Sequence, residues 1–344
     1  MKKIIFLILS VLLIYNISGA QTTEYKISNR IHLDGDAGWD YLSVDDAANR
    51  LFISHGNMVQ VLDLNSGTLS GTIKDTKGVH GIAIAPDLNK GFISCGRDTA
   101  VAVFNLKTLE LITKVKVTGI NPDAILYDSF SKKVFAFNGR TSNATVMDAN
   151  TNEIISTIPL DGKPEFSATD EKGRVYVNIE DKNKISVINS SSLQVEQGWS
   201  IDPGDEPSGL AIDNENHILF SVCGNKLMVI VDAQTGTVIT TVPIGDRVDG
   251  AGFDTGTKRA FSSNGEGTMT VVQEDSPEKF TVLENFATQK GARTIAVNSK
   301  THHIYMPTAE YEPAPEPTTE NPNPRPKIKP GTFIILDIEQ IVKN

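Results

Sequence analysis

GRVYVNIEDKNKISVINSSSLQVEQGWSI, residues 173–201, contains a phrase, RVYVNI, that the chain repeats in altered spelling as NRLFIS (49–54), KKVFAF (132–137) and HILFSV (217–222). Fourteen-residue segments built around this phrase align without gaps from residues 41, 81, 124, 166, 209, 250 and 294. Their starts lie 40, 43, 42, 43, 41 and 44 residues apart. Each segment reads as strand, turn, strand. A short apolar run around Val44, Ile84 or Ile212 is followed by turn residues such as Asp45-Asp46 or Pro86-Asp87, then by a β-rich run such as Leu51-Phe52-Ile53. A third strand follows, for example MVQVLDL (58–64) or LMVIVDA (227–233), and a fourth such as EIISTIP (153–159). Four short strands at a regular period near forty predict an all-β chain: a seven-bladed β-propeller of four-stranded blades. A two-layer sandwich offers no reason for such self-similarity.

The ends predict how the ring closes. The last copy runs out after its third strand, TFIILDI (332–338). The stretch EYKISNRIHL (24–33), ahead of the first copy, has the look of a fourth strand. It is expected to complete blade seven, which leaves no open edge.

These blades resemble the YVTN-repeat, YncE-like seven-bladed propellers of bacteria. The phrase is nearest at Tyr176-Val177-Asn178 and degenerate at Phe52-Ile53-Ser54 and Phe220-Ser221-Val222. The resemblance implies an exported propeller that binds something. It implies no shared catalytic set, because the motif residues are strand and turn residues.

The N-terminus agrees with export. Lys2 and Lys3 precede an apolar run, Ile4 to Ile14, and Ser18-Gly19-Ala20 supplies small residues ahead of Gln21. Residues 1–20 are therefore expected to be a signal peptide and 21–344 the propeller, periplasmic or secreted. No cysteine near residue 20 suggests a lipid anchor, and no later stretch is apolar enough to span a bilayer. The chain carries 32 basic against 42 acidic residues, a net charge of −10, which argues against nucleic-acid binding. Cys95 and Cys223 fall in blades two and five, too far apart for a bridge. A monomer is expected.

The alignment also proposes a site. The residues ahead of the first strands are Asp40, His80, Asp123, Glu165, Ser208, Asp249 and Arg293. Those after the second strands are His55, Cys95, Asn138, Glu180, Cys223, Asn264 and Thr308. Both sets are expected on one face, around the channel. The ligand-binding candidates are Asp40, His55, His80, Asp123, Glu165, Glu180, Asp249 and Arg293. Converging carboxylates suit Ca²⁺; Asp40, His80, Asp123 and Glu165 suit a divalent metal such as Zn²⁺ or Mn²⁺. Neighbouring Asp123 and Glu165 allow one carboxyl to keep its proton as a general acid, and Arg293 can neutralise Asp40 and Asp249 or anchor a carboxylate. The expected function is a binding or scaffold protein that meets a small ligand or a protein or peptide partner at the channel face. A metal-dependent hydrolase or lyase is the alternative. Residues 311–330 form a proline-rich insertion in blade seven, a lid or a partner-binding arm whose Tyr311, Arg325, Lys327 and Lys329 can make contacts.

Overall fold

The computed structural model describes residues 24–319, 321–322 and 324–341. The expected signal peptide lies outside them. Among the described residues no helix is long and apolar enough to cross a membrane. The strands form seven antiparallel four-stranded sheets, each built from consecutive strands except the last. The first strands touch one another around the ring: Trp39–Asp45, Val79–Ala85, Pro122–Asp128, Pro164–Thr169, Pro207–Asp213, Val248–Asp254 and Ala296–Val297. They line the central channel, and the fourth strands form the rim.

The last sheet closes the ring. Tyr25–His32 pairs antiparallel with Ile334–Gln340, from Tyr25 opposite Gln340 to His32 opposite Ile334. Blade six clamps the joint. Arg259 reaches Glu24 at 2.9 Å and the Tyr25 hydroxyl at 3.0 Å, with its guanidinium 5.5 Å from the Tyr25 ring centre. The fourth strand expected from EYKISNRIHL is thus where the sequence pattern puts it.

Burial explains the repetition. Among the described residues there are seven apolar clusters, one between each pair of adjacent blades. The cluster joining blades three and four packs Phe135, Phe137 and Val146 against Val175, Val177 and Ile188. One blade cannot cover both its faces, so each hydrophobic face is stabilised only by a neighbour.

Blade four departs from the gapless alignment. Asp45 faces Arg50 across four residues in blade one, whereas in blade four Asp170 N donates to Arg174 O, which leaves three residues between them. Accordingly Pro164 faces Ile179, while Trp39 faces His55 and Pro122 faces Asn138. Asp170 therefore corresponds to Asp45, and its carboxylate accepts from the Lys172 and Arg174 amides. Glu180 falls one position outside the ring it was expected to join and sits in the short 3-10 turn Glu180–Lys182.

The proline-rich insertion folds back at its base. Tyr311 bridges Ile328, Glu312 N donates to Lys327 O at 2.9 Å, and Lys329 pairs with Glu310 at 2.8 Å. Tyr311 also leans on Trp39, which packs on Phe333 with ring centres 5.3 Å apart. The described residues between 313 and 326 are mostly exposed.

Candidate functional site

The site is built by the penultimate residue of the repeated second strand. Ser94 Oγ accepts from the Gly81 amide of its own blade at 2.8 Å and donates to the Asp123 carbonyl of the next. Ser263 Oγ instead lies within donating distance of two carbonyls, Gly250 O of its own blade at 3.1 Å and Arg293 O of the next at 2.5 Å. Ser54 Oγ accepts from the Asp40 amide at 2.9 Å. Asn178 is the version in blade four. Its amide donates to Ser208 O and Gly209 O at 2.9 and 3.1 Å, and its Oδ1 accepts from Ser221 Oγ at 3.0 Å. These buried latches fix the backbone from which the channel side chains project. The repeated phrase therefore serves both strand pairing and the site.

Six of the expected channel residues are brought into a linked arc. Arg293 pairs with Asp249 and lies 3.5 Å from Asp40. His80 Nδ1 donates to Asp40 Oδ2 at 2.7 Å and stands 3.5 Å from Asp123 Oδ1. Glu165 follows in the next blade, held by Lys163 at 2.6 Å. Lys163 also binds Glu180, so Glu180 meets the arc only through that lysine. Ser208 interrupts the acidic run in blade five, its hydroxyl 3.4 Å from Val248 O.

His55 is not brought to the channel. It is fully buried, stacked on Phe333 at 4.1 Å, and its ring nitrogens face Gln60 Oε1 at 2.8 Å and Ala37 O at 3.0 Å. The other second-strand termini behave alike. Cys95, Asn138, Cys223, Asn264 and Thr308 are all buried. Their polarity is spent inside the blades: Asn138 binds Asn143 and Thr145, and Asn264 binds Thr268 and Thr270. Both cysteines are free thiols, pushed up to about 12 by burial.

Electrostatics divide the arc. Burial opposes charge on His80, but the Asp40 hydrogen bond and the Asp123 charge outweigh it, so the imidazole titrates above its ordinary range. Burial raises Asp123, with His80 opposing and Asp40 adding. Burial raises Glu165 to about 7; Lys163 opposes and the Asp123 charge adds. Asp40, His80 and Asp123 can each offer a ligand atom such that all three lie within 4.8 Å of one another. Two carboxylate oxygens and one imidazole nitrogen form a donor set for Zn²⁺ or Mn²⁺; Ca²⁺ prefers six to eight oxygens. Glu165 belongs to the same arc but not to that triad, and Lys163 pairs with one of its oxygens.

Tyr41, Ser167 and Lys163 belong to this region and escaped the sequence reading. Tyr41 packs edge-on against Phe166, with ring centres 4.7 Å apart. Burial, then the charges of Asp123, Asp40 and Glu165, hold its hydroxyl proton on well above the usual phenol range. Below the arc, Tyr41 and Ser167 line a cavity of about 310 Å³ whose walls are the first strands of blades one to four. The insertion does not cap the acids through its basic end. Lys329 is taken by Glu310, and among the described residues no ion pair joins Arg325 or Lys327 to a channel carboxylate.

Comparison with known proteins agrees on the architecture. No family model matches the chain. Antigen Lp49 of Leptospira interrogans serogroup Icterohaemorrhagiae serovar copenhageni is 30% identical over 215 residues, covering 55% of this chain. The chain spans less than half, 44%, of that protein's length. A chain of Kuenenia stuttgartiensis hydrazine synthase superposes with a TM-score of 0.70 at 15% identity, over 80% of this chain and 94% of its own. U3-55K gives 0.75 at 8% identity, over 92% of this chain and 99% of its own. A chain of a mitotic checkpoint complex gives 0.72 at 12%, over 89% and 95%. Identities this low carry the fold alone. The chain is a seven-bladed β-propeller, a fold commonly used as a scaffold or binding module.

Proposed function

We propose that this protein is an exported, monomeric binding propeller whose ligand enters at the channel face, where Asp40, His80, Asp123, Glu165, Asp249 and Arg293 meet. One observation carries the reading: three potential ligand atoms of Asp40, His80 and Asp123, from three successive blades, lie within 4.8 Å of one another. The simplest occupant of that triad is a divalent ion of the Zn²⁺ or Mn²⁺ kind. The signal-like N-terminus and the similarity to a protein named as an antigen support export. The YncE-like resemblance points the same way. Calorimetric titration of chelator-treated protein with Zn²⁺, Mn²⁺ and Ca²⁺ tests the triad. Saturable binding of Zn²⁺ or Mn²⁺ that Asp123→Asn weakens is expected. Binding of none of the three, or binding unchanged in the variant, rejects the ion.

A metal-dependent hydrolase or lyase is the second reading. It is favoured by Glu165, a carboxyl raised to about 7 beside Asp123, as a general acid requires. Under it, Glu165→Gln abolishes turnover of a metal-dependent substrate while metal binding persists.

A further inference from the structure

The arc leaves polar groups without partners on its cavity side. Tyr41 and Ser167 are only 7% and 8% exposed, and among the described residues neither hydroxyl is hydrogen-bonded to the protein; neither oxygen is fully enclosed, so both open to the cavity. A hydroxyl that opens to a cavity is met by water or by a ligand's polar group. Both line the cavity of about 310 Å³. That volume is at the small end of ligand pockets, which combine apolar walls with a few placed polar groups. The apolar wall here includes Ile82, Ile125, Leu126 and Phe166. Asp123, the charge that acts most strongly on Tyr41, accepts no hydrogen bond at its carboxylate among the described residues beyond the 3.5 Å approach of His80. Glu165 has Lys163 alone. The unfilled capacity is thus mainly for hydrogen-bond donors, and it lies in the arc next to the cavity, whose own lining holds no carboxylate.

We propose that this cavity binds a small amphiphilic primary amine, its ammonium group held by Asp123, Glu165 and the Tyr41 hydroxyl oxygen, and its apolar stem lying against Ile125 and Phe166 beside Ser167. An ammonium offers three donors and no acceptor, which matches two carboxylates and a hydroxyl. The edge-on Tyr41–Phe166 pair gives the stem an aromatic wall. The proposal rests on the channel-face reading and names its ligand class. It does not require the ion, although the Asp40–His80–Asp123 triad shares Asp123 with the ammonium site.

Three isosteres separate charge from shape: phenethylamine, 2-phenylethanol and phenylacetate, each titrated calorimetrically into the mature protein. The amine is expected to bind about tenfold tighter than the alcohol, the ratio one charge-assisted hydrogen bond supplies, with phenylacetate weakest. Tyr41→Phe and Glu165→Gln should each weaken the amine, and thermal melts show whether either variant is folded. Glu165→Gln, an isosteric change, keeps the test alive if Tyr41→Phe unfolds. Equal binding of amine and alcohol, preference for phenylacetate, or folded variants with unchanged affinity overturns the proposal. Tighter binding of Nα-acetyl-lysine amide than of phenethylamine assigns the pocket to a partner's lysine and overturns it as well. If no amine binds while Zn²⁺ or Mn²⁺ still titrates in an Asp123-dependent way, the amine is rejected and the channel-face reading stands. If neither binds, both fall.

Discussion

Glu165 should make the stability of the whole propeller depend on pH, in a window that one substitution removes. Its carboxyl titrates near 7 in the folded chain, against 4.5 when unperturbed. The folded state therefore holds that proton more tightly than the unfolded state. The associated stability is fully present below about pH 4.5 and is lost as pH rises towards and through 7. A separation of that size corresponds to about 3 kcal/mol. The chain has 344 residues, so at about 2.1 cal/mol/K per residue its unfolding entropy is about 0.7 kcal/mol/K, and that loss lowers Tm by about 4 °C. His80 adds a loss of the same sign as pH passes its raised value. Glu165→Gln removes the carboxyl's share without stranding Lys163, which still has Glu180. Scanning calorimetry of both proteins from pH 4.5 to 8.5 reads the difference. The wild type should lose the larger Tm; the variant should keep the smaller loss that the other raised groups share, Asp123, Glu274 and Glu284 at lower pH and His80 and His303 above about pH 6.5. Equal slopes in the two proteins would refute the assignment of the buried proton to Glu165.

Other consequences are as easily checked. Asn178→Ala removes the three hydrogen bonds that tie blade four to blade five. It should cost about 2–3 kcal/mol in denaturant unfolding. Cys95 and Cys223, buried and pushed up to about 12, should ignore a thiol reagent in the native protein and react once it is unfolded. Deleting residues 313–326 removes the exposed tip of the insertion and leaves the Tyr311–Ile328 bridge as its base. Tm should move by no more than about 2 °C. A larger drop would show that the tip packs on the ring.

The architecture was legible because a propeller writes its period into the chain. Each blade needs the same strand–turn–strand pattern to cover its neighbour, and seven copies at near-constant spacing leave no other economical reading. Ring closure was legible for the same reason, since Tyr25–His32 is the strand blade seven lacks. The site was legible only in its first-strand half. Those positions face the channel in every blade, so Asp40, His80, Asp123, Glu165, Asp249 and Arg293 came together. The second-strand half was misjudged because polarity alone does not separate a solvated side chain from a buried one satisfied by its own blade. His55 and Asn138 are of the second kind. Glu180 went astray through the three-residue loop of blade four. Asp170 in the column of Asp45, Asp128, Asp213 and Asp254, and Asn178 in the column of Ser54, Ser94 and Ser263, carried the signal for that missing residue.

The charged arc exists because the ring breaks its own symmetry. A perfect repeat would place seven identical side chains at the channel mouth, and seven carboxylates there would repel one another. This chain instead alternates sign along the arc: Asp249, Arg293, Asp40, His80 and Asp123 run through five successive blades. Each cation is shared by two carboxylates, so the arc is self-neutralising up to Asp123. Beyond it the alternation fails. Glu165 follows Asp123 directly, Lys163 is shared with Glu180, and the neighbouring channel wall presents the unpaired hydroxyls of Tyr41 and Ser167. An incoming cation gains most where the internal pairing stops, between blades three and four.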